Sequence, residues 1–279
     1  LGSRHCLNTG SPGAPAYWLQ LVAEVEDTWC AGDIAEIGPC NSLERIVRFC
    51  QALGRGGAAD ENFCNELRRR ELPELVQNLA GLTDAEILRK LPILPHREYS
   101  IASIPEAGTL DLLVRQVVNN GELGLGSGWL THHAPVGTSI ALRIRRNPAF
   151  HSPAAGTPLI LLGNGTGMAG LRVHLWARQR AGERRNWLLF GERTARCDFF
   201  FGEQIRAWQK EGFIERVDLA FSRDGQAGAP RYVQDLLPTH ADRLRAWVAE
   251  GAAIYVCGSL QGMAQGVDAA LAEILGREQ

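Results

Sequence analysis

The chain has 279 residues, enough for two domains, with 45% hydrophobic and 22% charged residues, a composition ordinary for a globular protein. A formal net charge of −2 gives no general attraction to nucleic acid, and no apolar run approaches the roughly 18 residues of a membrane span. Seven cysteines, an odd count without a C-x-x-C pair, argue against a disulfide framework and against a zinc or iron–sulfur site, so free thiols in a reducing cytoplasm are expected.

Residues 1–16 are rich in Gly, Ser and Pro and predict a linker. They carry no signal-peptide pattern and no initiator methionine, as expected of a piece cut from a longer protein. Residues 17–26 partly alternate and predict a strand, Ala31-Gly32-Asp33 a turn, and Ile34-Ala35-Glu36-Ile37 a second strand. After Ser42, an N-cap residue type, Leu43, Ile46, Val47, Cys50 and Leu53 recur on one helical face. Further helices are predicted over 61–70 and 73–91. Arg68-Arg69-Arg70 is expected to be a solvated helix face, since one triplet does not make a phosphate-binding patch. This helical block interrupts two strand-rich regions and reads as an insertion.

Strands resume at residue 96, with segments at 99–102, 110–118 and 139–145. Between them lie a glycine-rich stretch at 121–128 and a short helix or turn from Trp129. Short alternating strands with glycine turns suggest an antiparallel barrel. Residues 148–158 are again linker-like. The rhythm then changes to strand–helix alternation, with strands at 159–162, 187–190, 217–221 and 254–256 and helices near 168–180, 199–211, 241–250 and 262–275. This predicts a doubly wound α/β domain with a parallel sheet.

Ligands of such sheets bind beyond the carboxyl ends of the strands. Those ends carry residues 163–167, Gly191-Glu192-Arg193, Ser222-Arg223 and Cys257-Gly258. The first is the sharpest feature of the chain: four apolar residues, Leu159-Ile160-Leu161-Leu162, run into Gly163-Asn164-Gly165-Thr166-Gly167 and then into a helix. Backbone N–H groups at that helix start form an anion site. The fingerprint G-x-G-x-x-G fails, because Met168 takes the third glycine's place, and a Walker A loop fails for want of Lys-Ser/Thr. Alone, the loop favours an anion site over a plain turn only modestly. Ser222-Arg223 with Arg231-Tyr232 suits a 2′-phosphate with the tyrosine stacked on adenine, and a surface turn accounts for the spacing equally well. On a strand, Arg97 and Tyr99 share one face while Ser100 points the other way. That set suits a pyrophosphate, a ring face and a ring nitrogen, although an ordinary edge strand explains it more simply.

Arg97-Glu98-Tyr99-Ser100-Ile101-Ala102-Ser103 resembles the R-x-Y-S-I-A-S flavin motif of the diflavin reductases. That group includes the NADPH–cytochrome reductases and the sulfite reductase flavoprotein, within the ferredoxin–NADP reductase superfamily. Gly124-Leu125-Gly126-Ser127-Gly128-Trp129-Leu130 resembles the second flavin motif, which holds the FAD pyrophosphate. Gly163-Asn164-Gly165-Thr166-Gly167-Met168-Ala169 resembles the loop for the NADP pyrophosphate. Ala220-Phe221-Ser222-Arg223-Asp224 and Tyr232-Val233-Gln234-Asp235 resemble the 2′-phosphate segment. Tyr255-Val256-Cys257-Gly258, with Met263-Ala264, resembles the strand end beneath the nicotinamide. Leu7-Asn8-Thr9-Gly10-Ser11 resembles the segment that follows a flavodoxin-like FMN domain. The motifs stand in family order over nearly the whole chain.

The resemblance implies an FAD-binding antiparallel β-barrel domain over 1–152, with a helical connecting insertion at about 42–92, and an NADP-binding α/β domain over 153–279. It implies FAD contacts at Arg97, Tyr99, Ser100, Ile101, Leu113, Val114, Arg115, Gly124, Leu125, Gly126 and Ser127. For the NADPH site it implies Gly165, Thr166, Gly167, Arg193, Ser222, Arg223, Arg231, Tyr232, Gln234 and Cys257, with Ser100 and Cys257 serving the hydride transfer and no metal. Electrons would pass from NADPH through FAD to an FMN-containing flavodoxin-like domain or protein, and on to a hemoprotein or similar acceptor. An NADH-using ferredoxin or flavodoxin reductase and a non-catalytic flavoprotein docking module stand as alternatives.

The chain departs from the family pattern in several places. Gly170-Leu171 replace Pro-Phe, Pro230 stands where a lysine is usual, and Ser259 and Gly266 replace acidic residues. The chain stops at Gln279, before the family's terminal aromatic, which implies a flavin face that is open or covered by a neighbour.

Overall fold

The computed structural model describes residues 1–22, 28–55, 60–224 and 229–276. The first half begins with strands β1 (Ser3–Cys6), β2 (Ala16–Leu21) and β3 (Ile34–Ile37), then helices α1 (Leu43–Ala52), α2 (Glu61–Leu67) and α3 (Asp84–Lys90). Strands β4 (Arg97–Ser100) and β5 (Leu110–Arg115) follow. After them come a short hairpin of β6 (Val118–Asn119) and β7 (Glu122–Leu123), the single turn α4 (Leu125–Gly128), and β8 (Leu142–Arg145).

Two antiparallel three-stranded sheets result, ordered β1-β2-β5 and β4-β3-β8. An Ile101–Leu112 bridge joins them. Both sheets bury apolar side chains in one core, Leu19, Leu110, Leu112 and Val114 from the first meeting Ala35, Ile37 and Ile101 from the second. The helices form their own small core around Ile46, Phe49, Phe63, Leu67 and Ile87. Ser42 caps α1, and a reciprocal Thr83–Glu86 capping box starts α3.

The second half alternates β9 (Leu159–Asn164), α5 (Met168–Arg180), β10 (Asn186–Glu192), α6 (Ala195–Asp198), α7 (Gly202–Lys210), β11 (Arg216–Phe221), α8 (Val233–Thr239), α9 (Ala241–Ala249), β12 (Ala253–Cys257) and α10 (Gln265–Leu275). Its four strands are parallel, in the order β11-β10-β9-β12. Alternate residues of the central strands enter opposite cores. Leu159, Leu161, Leu188 and Phe190 pack with α5 and α7, while Ile160, Leu162, Trp187 and Leu189 pack with α8, α9 and α10. That is why these strands are continuous apolar runs: both faces are covered. The winding reverses between β9 and β12, and the crevice of such a sheet opens there.

Several local expectations are corrected. The stretch at 1–16 contains β1, an edge strand of polar residues (Ser-Arg-His-Cys) that gains its place by backbone pairing with β2 and so lacks an apolar signal. The strand expected at 17–26 ends at Leu21, and residues 23–26 lie outside the described residues. The helix expected over 73–91 is confined to α3, because Gly81 at φ 77° and the Thr83 cap interrupt the apolar periodicity. Arg68, Arg69 and Arg70 lie just past α2 rather than on a helix face, and Arg70 donates to the Leu91 carbonyl at 3.0 Å. The run at 110–118 breaks after Arg115, and only Leu142–Arg145 pairs within 139–145. The helix expected from 199 starts at Gly202, behind the left-handed Phe201. α8 was not anticipated. Its start is secured by the Asp235 carboxylate, which accepts from the Arg231 and Tyr232 backbone N–H groups.

The two halves are bonded to each other. Asp198 accepts from Asn8 Nδ2 at 3.2 Å and from Ser11 Oγ at 3.0 Å, so the segment expected as a linker is held against the second half. Burial would raise the Asp198 pKa, but these bonds and those from Thr194 bring it below the ordinary value.

Candidate functional site: a cleft between the sheets

A cleft of about 920 Å³ opens where the parallel strand ends face β4 and β5. Fourteen of the sequence-predicted residues line it: Tyr99, Ser100, Leu113, Arg115, Gly165, Thr166, Gly167, Arg193, Ser222, Arg223, Arg231, Tyr232, Gln234 and Cys257. The floor is the loop after β9. A Cβ on Gly163 would stand 2.4 Å from the Cys257 carbonyl oxygen, and one on Gly167 would stand 2.0 Å from it. These two glycines therefore let the loop and the start of α5 close onto β12. Gly165, at φ +56°, supplies the left-handed turn. Asn164 Oδ1 accepts the Ser259 backbone N–H at 2.9 Å and locks the β12 loop to the β9 loop.

Cys257 ends β12 at this floor, and Ser100, from the other half, lines the same cleft. Burial pushes the thiol pKa up, with Ser100 and the Gly170 backbone offsetting part of the rise, so the sulfur is kept protonated. Tyr99 is also raised by burial, to about 12, and stays a neutral aromatic surface. At the far end, Arg231 Nη2 donates to the Ser222 carbonyl at 3.2 Å, which gathers Ser222, Arg223 and Arg231. The Tyr232 ring is exposed beside them. Among the described residues Gln234 Oε1 is buried without a partner, and its side chain occupies the space a Cβ on Gly266 would need.

The remaining predicted residues stand outside the cleft lining. Ile101 and Val114 point into the core of the antiparallel sheets and are buried there. Gly124, Leu125, Gly126 and Ser127 form the turn that packs on Arg97 and Tyr99, where a Cβ on Gly126 would stand 2.6 Å from Arg97 Cγ and 3.0 Å from the Tyr99 hydroxyl. Ser127 Oγ accepts the Val117 N–H at 3.1 Å. Arg97 and Leu125 border a second cavity of about 520 Å³ against the helical insertion. The two expected flavin motifs thus adjoin in space.

Sequence reasoning placed Asn164 and Glu192 at strand ends on the crevice rim without a separate role for either, and did not single out Arg172. Arg172 carried no signal, because its partners Asp111 and the Ala102 carbonyl are remote in the chain. Among the described residues, no group of His, Cys, Asp and Glu has the makings of a metal site, and no helix is long and apolar enough to cross a membrane.

A glycine-looped parallel sheet facing paired antiparallel sheets across a cleft is compatible with the ferredoxin–NADP reductase-like fold. No family model matches the chain. It is 32% identical over 251 residues to the sulfite reductase [NADPH] flavoprotein alpha-component of Photobacterium profundum, covering 86% of this chain and 39% of that protein. The same protein of Neisseria meningitidis serogroup B is 34% identical over 206 residues, 70% of this chain and 33% of its own length. That of Mannheimia succiniciproducens is 35% identical over 202 residues, with the same shares. The chain is a homologue of these flavoproteins, consistent with the FAD/NADP part of a diflavin reductase, and it spans about two fifths or less of the curated relatives it matches.

Proposed function

We propose that this chain binds FAD and NADPH and passes electrons from NADPH through FAD to a one-electron acceptor, an FMN domain or partner and then a hemoprotein. The observation that carries this reading is the single cleft that Ser100, from the flavin-motif strand, and Cys257, from the end of β12, line together. On this reading residues 1–152 form the FAD domain, with its two sheets acting as a flattened barrel, and residues 153–279 form the NADP domain.

The residues fit both groups. The Gly165–Gly167 turn offers backbone N–H groups and the α5 dipole to a pyrophosphate. Ser222, Arg223 and Arg231 offer a hydroxyl and two guanidinium groups to a 2′-phosphate, and Tyr232 offers a ring face to adenine. When bound, the cofactors supply the hydride chemistry, from nicotinamide C4 to flavin N5. The chain's task is alignment. Tyr99 would offer its ring to the flavin, Ser100 would offer it a hydroxyl, and the neutral Cys257 thiol would line the nicotinamide side. Gly163 and Gly167 let the floor of the cleft close against β12.

The test is direct. The purified chain, supplied with FAD, should be yellow and should reduce ferricyanide with NADPH as donor. A colourless chain that takes up no FAD and oxidises no NADPH refutes the proposal and favours a docking module.

A further inference from the structure

Glu192 ends β10 at the rim of the cleft, and its side chain is only 5% exposed. Its two carboxylate oxygens are divided between the halves of the molecule. Oε1 pairs with Nη2 of Arg115, from β5. Oε2 accepts the Arg193 backbone N–H at 2.7 Å and Arg193 Nη1 at 3.3 Å. A Cβ on Gly165 would stand 3.5 Å from Oε1 and 4.0 Å from Arg115 Nη2. The carboxylate therefore lies against the left-handed glycine of the anion loop, with both arginines turned onto it.

Arg115 is anchored independently. Its Nη1 donates to the Ala14 carbonyl at 2.9 Å, and its guanidinium lies 5.6 Å from the Phe200 ring centroid. It would therefore keep its place if Glu192 let go. A carboxylate at this position neutralises two cations when no anion is bound, and it repels an anion that arrives at the loop.

We propose that Glu192 is the resident counter-ion of this cleft, holding Arg115 and Arg193 at the anion loop until a diphosphate-bearing nucleotide takes them over. The proposal rests on the reading of the cleft as a dinucleotide site and adds a residue that sets its affinity. Because Glu192 competes with the diphosphate and not with a 2′-phosphate, it lowers the affinity for NADP⁺ and NAD⁺ alike. The choice between them is left to Ser222 and Arg223 at the end of β11.

The experiment is calorimetric titration of the full chain and of Glu192→Gln with NADP⁺, NAD⁺ and inorganic pyrophosphate. The variant should bind all three tighter by roughly tenfold, the scale of one charge-assisted hydrogen bond released to the ligand. The ratio of the two dinucleotide affinities should not change, and adding Arg115→Gln should remove the gain. A merely structural role for Glu192 does not tighten binding. Pyrophosphate affinity in folded Glu192→Gln that equals or falls below wild type overturns the proposal. Should that variant fail to fold, Glu192→Asp keeps the charge but withdraws it from Arg115, and no gain in pyrophosphate affinity there overturns the proposal equally. If wild type binds neither dinucleotide while the variant still gains pyrophosphate affinity, the dinucleotide reading falls and the counter-ion role stands.

Discussion

Arg172 in α5 and Asp111 in β5 form a 3.0 Å ion pair between the two halves, with both side chains almost wholly buried. The guanidinium also donates to the Ala102 carbonyl at 2.7 Å and to Gln204 Oε1 at 2.7 Å, and it lies 4.2 Å from the Phe201 ring centroid. Neutralising one partner strands the other charge in a dry interface. Asp111→Asn should therefore lower stability by about 3–5 kcal/mol, measured by urea unfolding. The double variant Asp111→Leu with Arg172→Met should lose less than Asp111→Asn does. A double variant as unstable as the two single losses added together would show that the pair is not coupled.

Ser100 and Cys257 line one cleft from opposite halves. Replacing both by alanine should slow flavin reduction by NADPH roughly a hundredfold, the scale of a small misalignment of reacting groups, while FAD stays bound. Stopped-flow absorbance of the flavin reads the rate directly. Since burial keeps the thiol protonated, the wild-type rate should show no thiolate titration between about pH 6 and 8. An unchanged rate in the double variant removes both residues from the mechanism.

Arg223 stands exposed at the end of the cleft away from Cys257. If it meets the 2′-phosphate, Arg223→Ala should weaken NADPH binding by roughly ten- to a hundredfold, the worth of a charged hydrogen bond, and leave NADH binding nearly unaltered. Kinetics with the two coenzymes provide the comparison. Equal losses for both would dissociate Arg223 from the extra phosphate.

His174, fully buried in α5, packs edge-on against Phe150 and Tyr255, with ring centroids 5.0 Å away in each case. Its Nδ1 lies 3.1 Å from Ser152 Oγ, and Nε2 has no partner among the described residues. Burial pushes its pKa from 6.5 down to about 4. Between those values the unfolded chain binds a proton that the folded chain refuses. Stability is therefore greatest above about pH 6.5 and declines as pH falls toward 4, by up to about 3 kcal/mol from this group. Thermal midpoints at pH 7 and 5 should draw together in His174→Leu. If the pH 7-to-5 drop is as large in that variant as in wild type, His174 is not the source.

The local grammar of the chain was legible without coordinates. Period-two and 3.6-residue apolar patterns, Ser42 as a cap, and the glycines after β9 dictate strands, helices and a tight loop through interactions between near neighbours. The apolar runs at β9 and β10 announced a sheet buried on both faces. The edge strand β1 and the helix α8 did not show, because backbone pairing with a distant strand holds the first and a single aspartate cap starts the second. The cleft itself belongs to tertiary structure. Arg115 meets Glu192 across 77 residues of sequence and Arg172 meets Asp111 across 61, while Ile101 and Val114, adjacent in sequence to cleft residues, turn into the core. Alternation along a strand says that neighbours face opposite ways. Only packing of the two halves decides which way is the cleft, since that choice depends on apolar area buried between segments that local sequence does not relate.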